Sequence, residues 1–237
     1  MKSSEAQLQH RGFIDDEDIR AYKDIKGLEL VSLVQHGSPT QRSIAVRILS
    51  AKQGVDYIAV FIDALKIEKA LYTKIELQKA LAKAGQMAIP QLVDSLGAIG
   101  NNQHKTINNA DIKKKTFPLA RDLAARILCS IGPRSMPSLV EVLNNGSRMQ
   151  KLEALDAIGY IVYHYDYFEI EETLIDAFHK SNSDPLVRWK TIKAMQGFVS
   201  DQVQKILQDI ITSKENVILK NEAKRSLSKV MERRQAK

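Results

Sequence analysis

The sequence predicts an all-α protein, an α–α superhelix (solenoid) of about six helix-pair repeats, on three observations. One apolar stripe recurs along the chain at the helical period. An amphipathic segment precedes each recurrence. Every proline stands where a helix is expected to begin.

The stripe is read by aligning six segments on one basic residue: Arg42, Lys74, Arg121, Lys151, Arg188 and Lys220. Three positions on stand Ala45, Leu77, Ala124, Ala154, Thr191 and Ala223, and seven positions on stand Leu49, Leu81, Leu128, Ile158, Met195 and Leu227. A step of three and then four keeps both positions on one helix face. The mostly small residue at the first position lets neighbouring helices approach closely. The preceding helices are expected at 27–35, 56–65, 88–96, 135–143, 170–178 and 202–211. Pro39, Pro118 and Pro185 open second helices, and Pro90, Pro133 and Pro137 lie near the start of first helices. Gly37, Gly85, Gly97, Gly132 and Gly146 are placed as C-terminal caps. The anchors are spaced 32, 47, 30, 37 and 32 residues apart, so the second gap contains an insertion, placed at 98–116.

DPLVRWKTIKAM (184–195) and FPLARDLAARIL (117–128) resemble the second helix of a HEAT-like repeat, and AIPQLVDSL and SMPSLVEVL resemble its first. The short period is similar to that of phycobilin-lyase-like HEAT proteins, and the resemblance covers roughly residues 27–233. Only Asp184 with Arg188 keeps the full D-P-x-V-R form. The resemblance implies one elongated repeat domain over 27–237, with second helices lining a concave face. Residues 1–26 are expected as an N-terminal cap, with a helix from Asp16 to Lys26, or as a partly disordered segment. The acidic run at 15–18 suits a helix start.

Composition sets the outer bounds. The chain has 237 residues, 44% hydrophobic and 6% aromatic, with a formal net charge of +7. That is enough apolar content for a continuous core, and the charge favours anionic partners. The single cysteine, Cys129, excludes an internal disulfide and suits a cytoplasmic location. No run of about 18 apolar residues predicts a membrane span. No phosphate-binding glycine loop, nucleophile elbow or zinc-ligand spacing occurs, so neither cofactor nor metal is expected.

Surface features supply the functional expectations. The anchor residues are expected to brace the turn within each pair, bonding turn carbonyls or a nearby acid such as Asp184. Five positions after each anchor stand Arg47, Lys79, Arg126, Asp156, Lys193 and Arg225, five of them basic. If this position faces the groove, Arg47, Lys79, Arg126, Lys193 and Arg225 form an exposed positive stripe on the concave side. The insertion carries Lys113, Lys114 and Lys115, is expected to project from the rim, and needs only mobile lysines beside a groove to touch phosphates. Asp156, Tyr160 and Trp189, with Lys193, fall on adjacent second helices as an aromatic platform with a carboxylate. That arrangement resembles HEAT-like alkylpurine DNA glycosylases, although no motif of theirs matches residue by residue. The leading expectation is a non-enzymatic scaffold that grips an acidic protein partner on its concave face. The rival is a nucleic-acid-binding protein, and the third reading is a glycosylase-like enzyme.

Overall fold

The computed structural model describes residues 4–52, 57–109 and 111–236, and every regular element among them is helical. Two short helices lead: α1 (Glu5–His10) and α2 (Asp16–Arg20). The expected single helix from Asp16 to Lys26 is thus cut to little more than one turn. Six helix pairs follow, in the places the periodicity gave them: α3 (Gly27–His36) with α4 (Pro39–Ala51), α5 (Ile58–Ile67) with α6 (Leu71–Ala84), and α7 (Ile89–Asp94) then α8 (Leu123–Ile131). The last three are α9 (Met136–Asn145) with α10 (Arg148–Tyr165), α11 (Glu171–Lys180) with α12 (Pro185–Ala194), and α13 (Asp201–Thr212) with α14 (Val217–Gln235). Among the described residues no helix is long and apolar enough to cross a membrane.

Local chemistry explains the starts and stops. Ser38 caps α4 by accepting from the Gln41 N–H while Gln41 reaches back to the Ser38 N–H, with Pro39 opening the first turn. Ser147 and Gln150 repeat the device at α10. Asp122, Asp184, Ser200 and Asn216 cap α8, α12, α13 and α14. Each such cap is worth about 1 kcal/mol. Gly85 and Gly132 end α6 and α8 at φ 58° and 78°, a region that only glycine enters freely. Pro118 does not open α8. It lies in a helix-free stretch, and the helix waits for its Asp122 cap.

The chain forms two compact units, Met1–Leu92 and Val93–Lys237. In the first, α3 packs on α4, α5 on α6, and α4 on α6, around Leu30, Leu49, Phe61, Leu65, Leu77 and Leu81. In the second, α8, α10, α12 and α14 pack side by side in chain order, with α9, α11 and α13 against their partners. The stripe positions Ala124, Ala154, Thr191 and Ala223 are fully buried, as close packing of second helices requires.

Three of the six anchors brace turns. Arg42 donates to the Gly37 carbonyl and to Glu68, Lys151 to the Asn144 carbonyl, and Arg188 to Phe178, Asn182 and Glu215. Asp184 takes Arg148 instead of Arg188. The insertion does not project. Between α7 and α8 the chain folds down on α10 and α12, burying Ile99, Phe117 and Ala120. Its apolar residues account for this, since a lone projecting loop would leave them in water. Gly159 makes room for it: a Cβ there would stand 2.4 Å from the Phe117 ring and 3.0 Å from the Ala194 Cα.

Candidate functional site

The five basic residues of the expected stripe are mostly spent inside the protein. In the first unit, the Arg47 guanidinium holds both Glu76 oxygens at 2.9 and 2.8 Å, and Lys79 stands 3.3 Å from the same carboxylate. In the second unit, half-buried Arg126 donates to the Ala120 carbonyl at 3.0 Å. Lys193 is 2% exposed, its Nζ 3.1 Å from Asp156 and 3.3 Å from Asp111. Arg225 is also buried, bonding Glu222 at 2.9 Å and the carbonyls of Lys114 and Thr116. Of the five, only Lys79 is exposed. The expectation of an open positive stripe is therefore corrected. A buried cation must be paired, and the insertion supplies Asp111 and the carbonyls that do it.

The aromatic platform is corrected too. Trp189 is fully buried and packs its ring against the edge of His104, with centroids 4.9 Å apart. Asp156 is buried, and Tyr160 is half-buried. What the structure builds around them is a charge cluster. Lys190 Nζ lies 3.0 Å from Glu153 Oε1, Asp156 Oδ2 and the Leu152 carbonyl. Burial alone would raise the Asp156 carboxyl, but Lys190 and Lys193 prevail and hold it well below the usual range. Burial pushes Glu153 up to about 7 against Lys190, with Asp156 adding to the rise. Burial takes His104 down to about 4; Asp156 opposes this, and Lys193, Arg121 and Lys190 reinforce it. His104 is therefore a neutral imidazole near pH 7, and among the described residues neither of its ring nitrogens has a hydrogen-bond partner. Burial also raises the Cys129 thiol, which leaves it inert.

Two concavities open beside this cluster. One, a cleft of about 640 Å³, is lined by His104, Asp111, Phe117, Arg121, Asp156, Tyr160, His164 and Lys193 among others. The second is a notch of about 580 Å³ between residues 112–115 and α14. Lys113, Lys114, Lys115, Lys224 and Lys229 line it with Arg225, Asn221 and Ser228, and no carboxylate is among its lining. Lys114 lines both. Lys113, Lys114, Lys115 and Lys224 are exposed, and Lys229 pairs with Glu232. Among the described residues no group of three or more His, Cys, Asp or Glu is placed to hold a metal ion.

The sequence reading found Lys113, Lys114 and Lys115 but missed Lys224 and Lys229, whose placement beside the loop depends on how the insertion folds. His104, Asp111, Glu153 and Lys190 were missed as well. One signal was present: Asp156 is the lone acid in the basic row and falls, by repeat alignment, beside Lys193.

The chain matches no family model and no curated protein. Among solved structures it is similar to a crystal structure of an engineered protein, at 19% identity over 87% of this chain and 96% of that one, with a TM-score of 0.36. So slight a likeness carries no argument about fold or function.

Proposed function

We propose that the protein is a non-enzymatic binding module, a HEAT-like solenoid that holds the phosphate backbone of a nucleic acid in its basic notch. The observation that carries this is the notch itself: five lysines from two segments line one concavity with Asn221 and Ser228, and among the described residues no acid lines it. Phosphate contacts need mobile cations and small polar donors rather than apolar anchors. A protein interface would be expected to centre on buried aromatic or arginine anchors in dry pockets, and the notch offers only Ile112 and a buried, paired Arg225. An acidic protein partner gripped across the second helices has less to hold, because Lys193 and Arg225 already neutralise Asp156, Asp111 and Glu222. Six consecutive helix pairs, with second helices stacked in chain order inside each unit, support the solenoid.

The test is titration of labelled single-stranded DNA, RNA and duplex into wild type and a Lys113→Glu/Lys115→Glu/Lys224→Glu variant, with polyglutamate as competitor. Binding tighter than the weak non-specific range of about 10⁻⁴ M, lost in the variant and resistant to polyglutamate, is the expected result. Tight polyglutamate binding without nucleic-acid binding would restore the acidic-protein partner.

A further inference from the structure

The cleft that shares Lys114 with the notch is not used by the backbone-binding reading. We propose that it receives a single unpaired nucleotide, its base against His104 and its phosphate against Arg121 and Lys114; this rests on the backbone-binding reading of the notch.

Three properties of the cleft point to that ligand. First, His104 lines it while only 6% exposed; its Nε2 stands 3.9 Å from an Asp111 oxygen, and among the described residues neither ring nitrogen has a hydrogen-bond partner. A buried polar group left unsatisfied costs about 1–3 kcal/mol, so a ligand whose polar edge reaches the imidazole is favoured. A neutral imidazole offers one donor and one acceptor. Beside it lie Asp111 and Asp156, each facing lysine nitrogens at 3.0 to 3.3 Å. A carboxylate has about four acceptor sites, so both can still take an N–H from a ligand. A wall that mixes donor and acceptor with two lysine-paired carboxylates suits a base edge.

Second, the cleft is flanked by rings. Tyr160 and His164 lie 4.2 Å apart at their centroids, and Phe117 lines the same space. Every base has a flat face, and stacking on such rings is worth about 1–3 kcal/mol. Third, cations complete the lining. Arg121 is half-buried, Lys114 is exposed, and among the described residues neither is in an ion pair. A volume of about 640 Å³ falls within the usual range for small-molecule sites. Because Lys114 belongs to both concavities, a strand whose phosphates lie in the notch reaches the cleft without a break.

The experiment uses calorimetry with AMP, CMP, GMP and UMP, with ribose 5-phosphate as a base-free control. It is paired with the fluorescence of Trp189, the sole tryptophan, whose ring touches His104. Excitation is at the red edge, where nucleotides are transparent. The expected result is saturable binding of at least one nucleotide with a change in Trp189 emission, and about tenfold weaker binding of ribose 5-phosphate. Tyr160→Ala and, independently of it, Arg121→Ala weaken the nucleotide by a similar factor, while Lys205→Glu, an exposed residue of α13 outside both concavities, leaves it unchanged. Thermal melting checks that each variant folds, and Arg121→Ala keeps the test alive if Tyr160→Ala does not. No saturable binding, or equal affinity for ribose 5-phosphate, overturns the proposal. Oligonucleotide binding that is lost in the notch variant, with mononucleotides bound by no variant, overturns the cleft and leaves the notch standing. Mononucleotide binding without oligonucleotide binding supports the cleft and removes the notch.

Discussion

Replacing His104 by Gln should change how the second unit's stability depends on pH. His104 is buried beside Trp189, and burial with the neighbouring cations brings it down to about 4, from the ordinary 6.5. Between those two values the unfolded chain binds a proton that the folded protein refuses. Stability therefore rises with pH across this window and is lost as pH falls through it. The gap is worth about 3 kcal/mol when complete, at roughly 1.4 kcal/mol for each pH unit. Going from pH 7.5 to pH 4.5, wild type should lose about 2–3 kcal/mol that the glutamine variant keeps. Urea unfolding at pH 4.5, 5.5, 6.5 and 7.5 measures it, with the difference between the two curves as the readout. Other groups that titrate in this range, Glu153 among them, cancel in that difference because both proteins carry them. Parallel curves would refute the reasoning, since they would mean that His104 accepts a proton in the folded state without cost.

The remaining predictions concern the same neighbourhood. Glu153→Gln should act with the opposite sign: the folded carboxyl sits at about 7, so wild type loses about 3 kcal/mol as pH rises from 4.5 to 7, and the variant does not. The same urea series reads it. Asp111→Ala takes one of two carboxylates from buried Lys193 and should destabilise by about 1–3 kcal/mol, with faster amide exchange in residues 98–116. Gly159→Ala drives a Cβ into the Phe117 ring and towards the Ala194 backbone, and should cost about 1–3 kcal/mol in thermal or urea unfolding.

Much of the helical framework could be read from the chain because it rests on local chemistry. Six basic anchors with apolar residues three and seven positions on place the second helices, and Ser38-Pro39 and Asp184-Pro185 mark their starts with a cap and a first-turn proline. The anchors' bonds to Gly37, Asn144 and Phe178 follow from the same register. The surface was less legible. An arginine or lysine five positions after an anchor looks the same in sequence whether it meets solvent or a carboxylate from a distant segment. Lys193 and Arg225 are buried because residues 98–116 fold onto them, a contact spanning 111 residues in the case of Arg225 and the Lys114 carbonyl. Pro118 misled for the same reason: it serves the packed insertion and not the start of α8. The chain divides into two compact units within the short helix α7, a boundary that no break in the repeat pattern marks in the sequence.

The measurement that bears most directly on the central claim is the salt dependence of single-stranded oligonucleotide binding. With three to four of the notch lysines on phosphates, the slope of log K against log salt should be about −2 to −3. Lys114→Glu/Lys224→Glu should flatten it by about one to two. A slope near zero, or the same slope in the variant, would contradict the account and show that the notch does not hold a phosphate backbone.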